Sequence, residues 1–185
     1  MIVLGIDLGN KSRNSIAVVD KDLNLLDYNR LMYDGSCSVW QHRKNICKQI
    51  QNYIDKYQLT KDDYIIFEKI NLFVGSRVSK LANITSLAFI QATIINEFSD
   101  KITISEVNVQ TWKTKVLGSR SATKEDSVNY VEENYPQVDL NVVIPHKRKE
   151  DEHVKDNDTA DAICIGVYGQ IADNKKLREN IVNYT

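Results

Sequence analysis

Cysteine is scarce in this sequence and unpaired. Cys37, Cys47 and Cys164 lie far apart with no C-x-x-C pair among them, a usage that points to free thiols in a reducing cytosol rather than a disulfide framework. Glycine is thin as well: the seven glycines include no G-x-x-x-x-G-K-[ST] run, so neither a phosphate-cradling loop nor a nucleotide cofactor is expected. Proline occurs only at Pro136 and Pro145, which confines proline-broken chain to one stretch. No apolar run reaches the roughly 20 residues of a membrane span. The N-terminus lacks a basic start and a cleavage site, and a strand-like run begins at Ile2. The start therefore reads as mature, and the expected location is the cytoplasm. An excess of positive charge is missing too. The formal charge of −1 taken alone speaks against nucleic acid, yet setting aside four carboxylates committed to metal ions leaves the remainder at +3. The distribution of charge outweighs its total.

What is present suits a globular chain: 185 residues, 42% hydrophobic and 26% charged. That length allows one compact domain with a real core, expected over 1–172, with 173–185 as a polar tail. Runs 2–8 (IVLGIDL) and 15–20 (SIAVVD) are β-rich and joined by a polar turn, and 25–33 (LLDYNRLMY) adds a third strand. The period then changes. Val39, Arg43, Ile46, Ile50, Tyr53 and Tyr57 recur at helical spacing between 38 and 58. A strand at 63–68, a helix at 79–98, a strand at 102–107 and short helices at 109–116 and 123–134 follow, the last opened by Thr123 as N-cap. The charged stretch 136–156 reads as a mobile loop, and a last helix covers 157–172. This order predicts an α/β fold. Its sheet is mixed and five-stranded, three antiparallel strands then two parallel, flanked by helices on both faces.

Acids fall where such a fold wants apolar residues. Asp7 shares one face of its strand with Val3 and Gly5, while Ile2, Leu4, Ile6 and Leu8 share the other. Glu68 ends a second strand on the face of Tyr64 and Ile66. Burying an unpaired carboxylate costs on the order of several kcal/mol or forces it to stay protonated. Two such acids at the carboxyl ends of neighbouring strands need a cation. Asp158 and Asp161, three residues apart, fall near one side of the last helix, whose core-facing stripe is expected to be Ala160, Ile163, Cys164, Val167 and Ile171. Asp156, Asn157 and Asp158 at a helix start are what capping and the macrodipole favour anyway, and Asp158 alone reads as a cap more often than as a ligand. Together the acids favour a metal site, and oxygen-only ligands select magnesium or manganese over zinc. Four carboxylates around two ions make a phosphodiesterase centre, with Asp7 the natural bridge because it is central in the sheet.

These segments resemble a known family. GIDLGNKSRNSIAVVD (5–20) is similar to the G-I-D-P-G-S-R opening hairpin of RuvC-type Holliday junction resolvases, which carry an RNase H-like fold. IIFEKIN (65–71) resembles the strand that ends in that family's glutamate, and SLAFIQATI (86–94) its dimer-and-substrate helix. QTWK (110–113), LG (117–118) and SATK (121–124) resemble the segment with its two DNA-contacting lysines, placing these on Lys113 and Lys124. DNDTADAICIG (156–166) resembles the closing helix. The likeness spans 2–170 and is nearest to the phage-borne versions of the family, such as that of lactococcal phage, so a phage-encoded chain would act in the host cytoplasm. It implies a homodimer that resolves four-way and other branched DNA by magnesium-dependent hydrolysis, with Asp7, Glu68, Asp158 and Asp161 as catalytic and metal-holding residues. Manganese could replace magnesium, with two ions per site. Leu8 stands where the family usually has proline. Asn71 takes the place of an aromatic residue that unstacks bases, and Phe73 lies two residues on.

Arg13, Phe73, Arg77 and Lys80 join Lys113 and Lys124 as candidate DNA contacts, because they flank the acids in sequence. Trp112 reads as core more than as a stacking platform, and Trp40 as helix packing. His153 and Lys155 precede the last helix, where a basic residue can assist product release. Cys37, His42 and Cys47 lack a fourth ligand and read as packing, not zinc binding. GIDLG also opens the phosphate motif of actin-like ATPases, but those need two lobes and further glycine loops. The rival readings are a YqgF-type RNase H-like ribonuclease, told apart by cleavage of RNA, and a non-catalytic DNA-binding module of the same fold.

Overall fold

Alternation along β1 (Ile2–Leu8) decides the architecture, because it gives one strand two apolar faces. Leu4 and Ile6 enter one core cluster, while Val3 enters another. The structure, a computed structural model, describes residues 1–9, 14–31, 38–70, 78–144, 152–172 and 177. β1 pairs antiparallel with β2 (Asn14–Asp20), and β2 with β3 (Leu25–Arg30), with a bulge between Val18 and Val19. On its other edge β1 pairs parallel with β4 (Tyr64–Glu68), which pairs parallel with β5 (Thr103–Val107). The sheet order is β3-β2-β1-β4-β5. The expected five-stranded mixed sheet is therefore present, and it places the carboxyl ends of β1, β4 and β5 along one edge.

Two helical layers cover it. α1 (Val39–Tyr57) and α2 (Val78–Phe98) bury Ile46, Ile50, Ile90, Ile94 and Phe98 against Leu4, Ile6, Ile16 and Ile65. The opposite face carries α3 (Val109–Leu117), α4 (Lys124–Asn134) and α5 (Asn157–Ile171). Local chemistry fixes their ends. Ser38 caps α1, Asn108 caps α3, and Thr123 forms a reciprocal capping box with Asp126 on α4. Gly118 ends α3 with φ +73°, a left-handed conformation that costs glycine least.

α5 is the central helix of its layer. Every residue from Thr159 to Gly169 is buried, as expected for a helix apolar on all sides. It approaches β1 so closely that a Cβ on Gly5 would stand 2.3 Å from both Ala162 O and Gly166 N. Only glycine fits there. Ile171, expected in the core stripe, is 44% exposed, because the helix end runs past the sheet.

Two further expectations need correction. The stretch 136–156 is not simply a loop: β6 (Asn141–Ile144) and β7 (Glu152–Lys155) form an antiparallel ribbon, with Val142 opposite Val154. Asp156 N then donates to Leu140 O at 2.7 Å, tying the ribbon's base to the start of α5. Trp40 is 70% exposed rather than packed, its ring lying 4.9 Å from the Arg43 guanidinium carbon. His42 is buried, in line with a packing role. Among the described residues no helix is long and apolar enough to cross a membrane.

Candidate metal centre

Register brings the first two acids together. β1 and β4 run parallel with Ile6 opposite Phe67, so the next residues, Asp7 and Glu68, end adjacent strands at the same edge. Both lie on the α5 face, Asp7 following Val3 and Gly5, and Glu68 following Tyr64 and Ile66. Across the other edge of β1, Asp7 is paired with Ser15.

The last two acids are delivered by the N-terminus of α5, which is anchored with care. Asp156, not Asp158, is its N-cap, accepting from Thr159 N at 3.1 Å and from the Thr159 hydroxyl. Arg30, the last residue of β3, makes an ion pair with the same carboxylate. Thr159 Oγ1 lies 3.1 Å from Ser15 Oγ, beside Asp7. This chain of contacts locks the first turn of α5 onto β2 and β3, leaving Asp158 free of capping duty. Asp158 Oδ1 instead lies 3.6 Å from Lys124 Nζ.

The acids feel one another. Burial pushes the Asp7 carboxyl well above its usual range, and Glu68, Asp161 and Asp158 push it further, against a smaller pull from Lys124. Burial likewise raises Glu68, opposed by a hydrogen bond from Trp112 and reinforced by Asp161. Burial raises Asp161, opposed by the Ser127 hydroxyl, Lys124 and Lys113. Ser127 is near enough to act on that charge, yet neither Ser127 Oγ nor Asp161 Oδ1 completes a hydrogen bond. Asp161 is only 8% exposed, so Oδ1 is a buried acceptor with no donor, a costly state for a carboxylate. Such a cluster is stabilised by protons or by a cation. Its donor set consists of hard oxygens, which fits magnesium or manganese. Among the described residues no group of three or more His, Cys, Asp or Glu side chains is arranged to hold a metal ion as they stand. The four therefore share a field and an edge rather than a closed cage.

The lysines expected to touch DNA also stand at this edge. Lys113 Nζ donates to Ala122 O at 2.6 Å and acts on Glu68 and Asp161, while Lys124 acts on Asp7, Glu68 and Asp161. Lys80 belongs to α2, though its side chain lies outside the described residues, as do Arg13, Phe73 and Arg77 altogether. His153 and Lys155 fall on β7. Sequence reasoning missed three partners of the acids. Trp112 Nε1 donates to Glu68 Oε1 at 2.7 Å, Gln91 Nε2 donates to Glu68 O at 2.8 Å, and Arg30 pairs with Asp156. An indole in the helix after β5 was the one available signal; nothing local marks Arg30.

No protein-family model matches the chain, and no curated protein matches it in sequence. Solved structures do. A Thermus thermophilus RuvC structure shares 13% identity, covering 92% of this chain and 96% of that one, at a TM-score of 0.64. T. thermophilus RuvC in complex with Holliday junction substrate shares 14% identity over the same fractions, 92% and 96%, at a TM-score of 0.65. Yeast mitochondrial Holliday junction resolvase Ydc2 aligns more loosely, at 13% identity over 96% of this chain and 81% of that one, with a TM-score of 0.47. With its five-stranded mixed sheet flanked by helices, the chain carries the RNase H-like fold of RuvC.

Proposed function

We propose that this chain is a magnesium-dependent endonuclease that cuts branched DNA, resolving four-way junctions as a homodimer. The observation that carries the reading is the meeting of Asp7, Glu68, Asp158 and Asp161 at one sheet edge, where burial and mutual repulsion raise Asp7, Glu68 and Asp161. Support comes from the shared fold with RuvC, one structure of which is a complex with Holliday junction substrate.

These four acids would hold two magnesium ions, or manganese in their place. Bound there, the ions would supply Lewis acidity and a water activated for attack on a phosphodiester. The chain's own residues do the rest. Asp7, central among the strands, would contribute ligand oxygens from β1, with Glu68 from β4 and the α5 pair alongside it. Asp158, 3.6 Å from Lys124 through one oxygen, has its other oxygen to offer such an ion, and the Lys124 ammonium would be available to a phosphate oxygen nearby. Lys113 and Lys124 then offer positive charge on the α3–α4 side of the edge, where a DNA backbone would lie. Arg13, Phe73, Arg77 and Lys80 are proposed as further DNA contacts from their positions in the sequence.

The test is incubation of the purified chain with magnesium and synthetic four-way, three-way and linear DNA, with an RNA control. Paired nicks in the four-way junction are expected, lost with chelator and lost in Asp7→Asn while junction binding persists. Full cleavage by Asp7→Asn would refute the assignment. Preferential cutting of RNA would move the chain to the YqgF-type reading.

A further inference from the structure

Glu68 is the best restrained of the four acids, and the restraint comes from two helices on opposite faces of the sheet. From α2, buried Gln91 donates to the Glu68 carbonyl at 2.8 Å, fixing the backbone at the end of β4. From α3, Trp112 donates its indole N–H to Glu68 Oε1 at 2.7 Å. Trp112 is fully buried in the cluster that includes Val107, Val128 and Ile163, so the indole cannot swing away. Its neighbour Lys113 is pinned to Ala122 O at 2.6 Å, with its ammonium 5.6 Å from the Trp112 ring centre. The indole is thus held from within the core and from the flanking turn.

The chemistry of this donor matters. An indole N–H donates and never accepts. It satisfies a carboxylate but offers nothing to the hydroxyl of a protonated acid. It also ties down Oε1, so that Oε2 is the oxygen without this tether. Interactions of this kind orient ligands and bias them toward the form that holds a cation.

We infer that Trp112 is a positioning residue for Glu68, holding one carboxylate oxygen so that the other is presented to a divalent cation at the acid cluster. The inference rests on the metal-centre reading above and adds a residue to it. Trp112 touches neither cation nor substrate; it acts through Glu68.

With only two tryptophans in the chain, Trp40→Phe leaves Trp112 as the sole indole. In that protein the indole ¹⁵N–¹H resonance reports the bond directly, without DNA or turnover. It should move on Glu68→Ala, and it should shift saturably on titration with magnesium chloride. Calorimetric titration with magnesium alone should then show affinity about 10-fold weaker in Trp112→Phe, the lower end of the range for outer-shell partners of metal ligands. If calorimetry shows magnesium binding while the indole resonance stays still, Trp112 is packing only and the inference falls. If the unaltered chain binds no magnesium at millimolar concentration, the metal-centre reading falls and takes this inference with it. Should Trp112→Phe fail to fold, the resonance of the Trp40→Phe protein still decides the matter.

Discussion

The close approach of α5 to β1 at Gly5 gives the sharpest test. A Cβ on Gly5 would lie 2.3 Å from Ala162 O and 2.3 Å from Gly166 N, both backbone atoms of α5. Ordinary contact begins about 1 Å further out, so Gly5→Ala requires the helix and β1 to separate along their shared length. Forcing extra atoms into a packed core costs about 1–3 kcal/mol when side chains can yield. Here none can, so at least about 3 kcal/mol is expected, the upper end of that range. For a chain of this size about 2–4 °C is lost per kcal/mol, which makes the fall on the order of 10 °C. Gly166→Ala and Gly118→Ala provide the scale. The Gly166 position meets Val19 Cγ2 at 2.7 Å, a side-chain tip, so the cost should lie in the middle of the range, about 2 kcal/mol. Gly118 has open space around it and pays only for its left-handed φ, about 1 kcal/mol. Urea unfolding of the three variants, followed by circular dichroism, should rank them in that order. A Gly5→Ala protein as stable as Gly118→Ala would refute the close packing of α5 on β1. Because α5 carries Asp158 and Asp161, Gly5→Ala should also weaken magnesium binding, whereas Gly118→Ala should not.

Other expectations follow from the site's electrostatics and anchoring. With chelator present, stability should fall as pH rises from about 4 toward neutral. Asp7, Glu68 and Asp161 are raised above ordinary values of 3.8, 4.5 and 3.8, so the folded state holds protons that the unfolded chain has released. Asp7→Asn should flatten that slope, and stability rising with pH over this interval would contradict the sign. Arg30→Ala leaves the Asp156 cap without its cation and should cost roughly 2 kcal/mol, less than a fully buried pair because Arg30 is partly exposed; an unchanged urea midpoint would count against the anchoring chain. Lys113→Ala with Lys124→Ala should weaken junction binding and make it less salt-dependent, by roughly two units of slope. A slope equal to that of the unaltered chain would place both lysines off the DNA.

How far the sequence carried the reading depends on the distance over which each signal acts. Asp7 and Glu68 were legible because alternation along one strand is a local property, and a carboxylate among Val, Ile and Phe breaks it visibly. The spacing of Asp158 and Asp161 is likewise local. Their partners are not. Trp112 is separated from Glu68 by 44 residues and Arg30 from Asp156 by 126, so no window of helical or strand period contains either pair. The β6–β7 ribbon escaped for another reason. Its strands are four residues each, and the charge run 146–156 surrounds Val154, hiding the alternation that pairs it with Val142. The cap escaped as well: Asp158 reads as one in the sequence, and only the contact with Thr159 shows that Asp156 takes the role.

These placements make α5 answer two demands at once. A helix buried on every side belongs in the core, yet its first turn must bring two carboxylates to the sheet edge. Small residues resolve the conflict: Gly5 admits Ala162 and Gly166 at backbone distance, so the helix lies low enough for its N-terminus to emerge beside Asp7 rather than above it. Capping by Asp156 then spares Asp158, and Thr159 grips Ser15 next to Asp7. The residual cost is the repulsion stored among Asp7, Glu68 and Asp161, together with the unpartnered Asp161 Oδ1. A purely structural fold would have replaced these acids by valine or isoleucine at no loss of packing. Under the proposed function, retaining them would serve a divalent cation rather than the fold's own stability, and the same tight helix–sheet contact that secures the core would set where that cation is held.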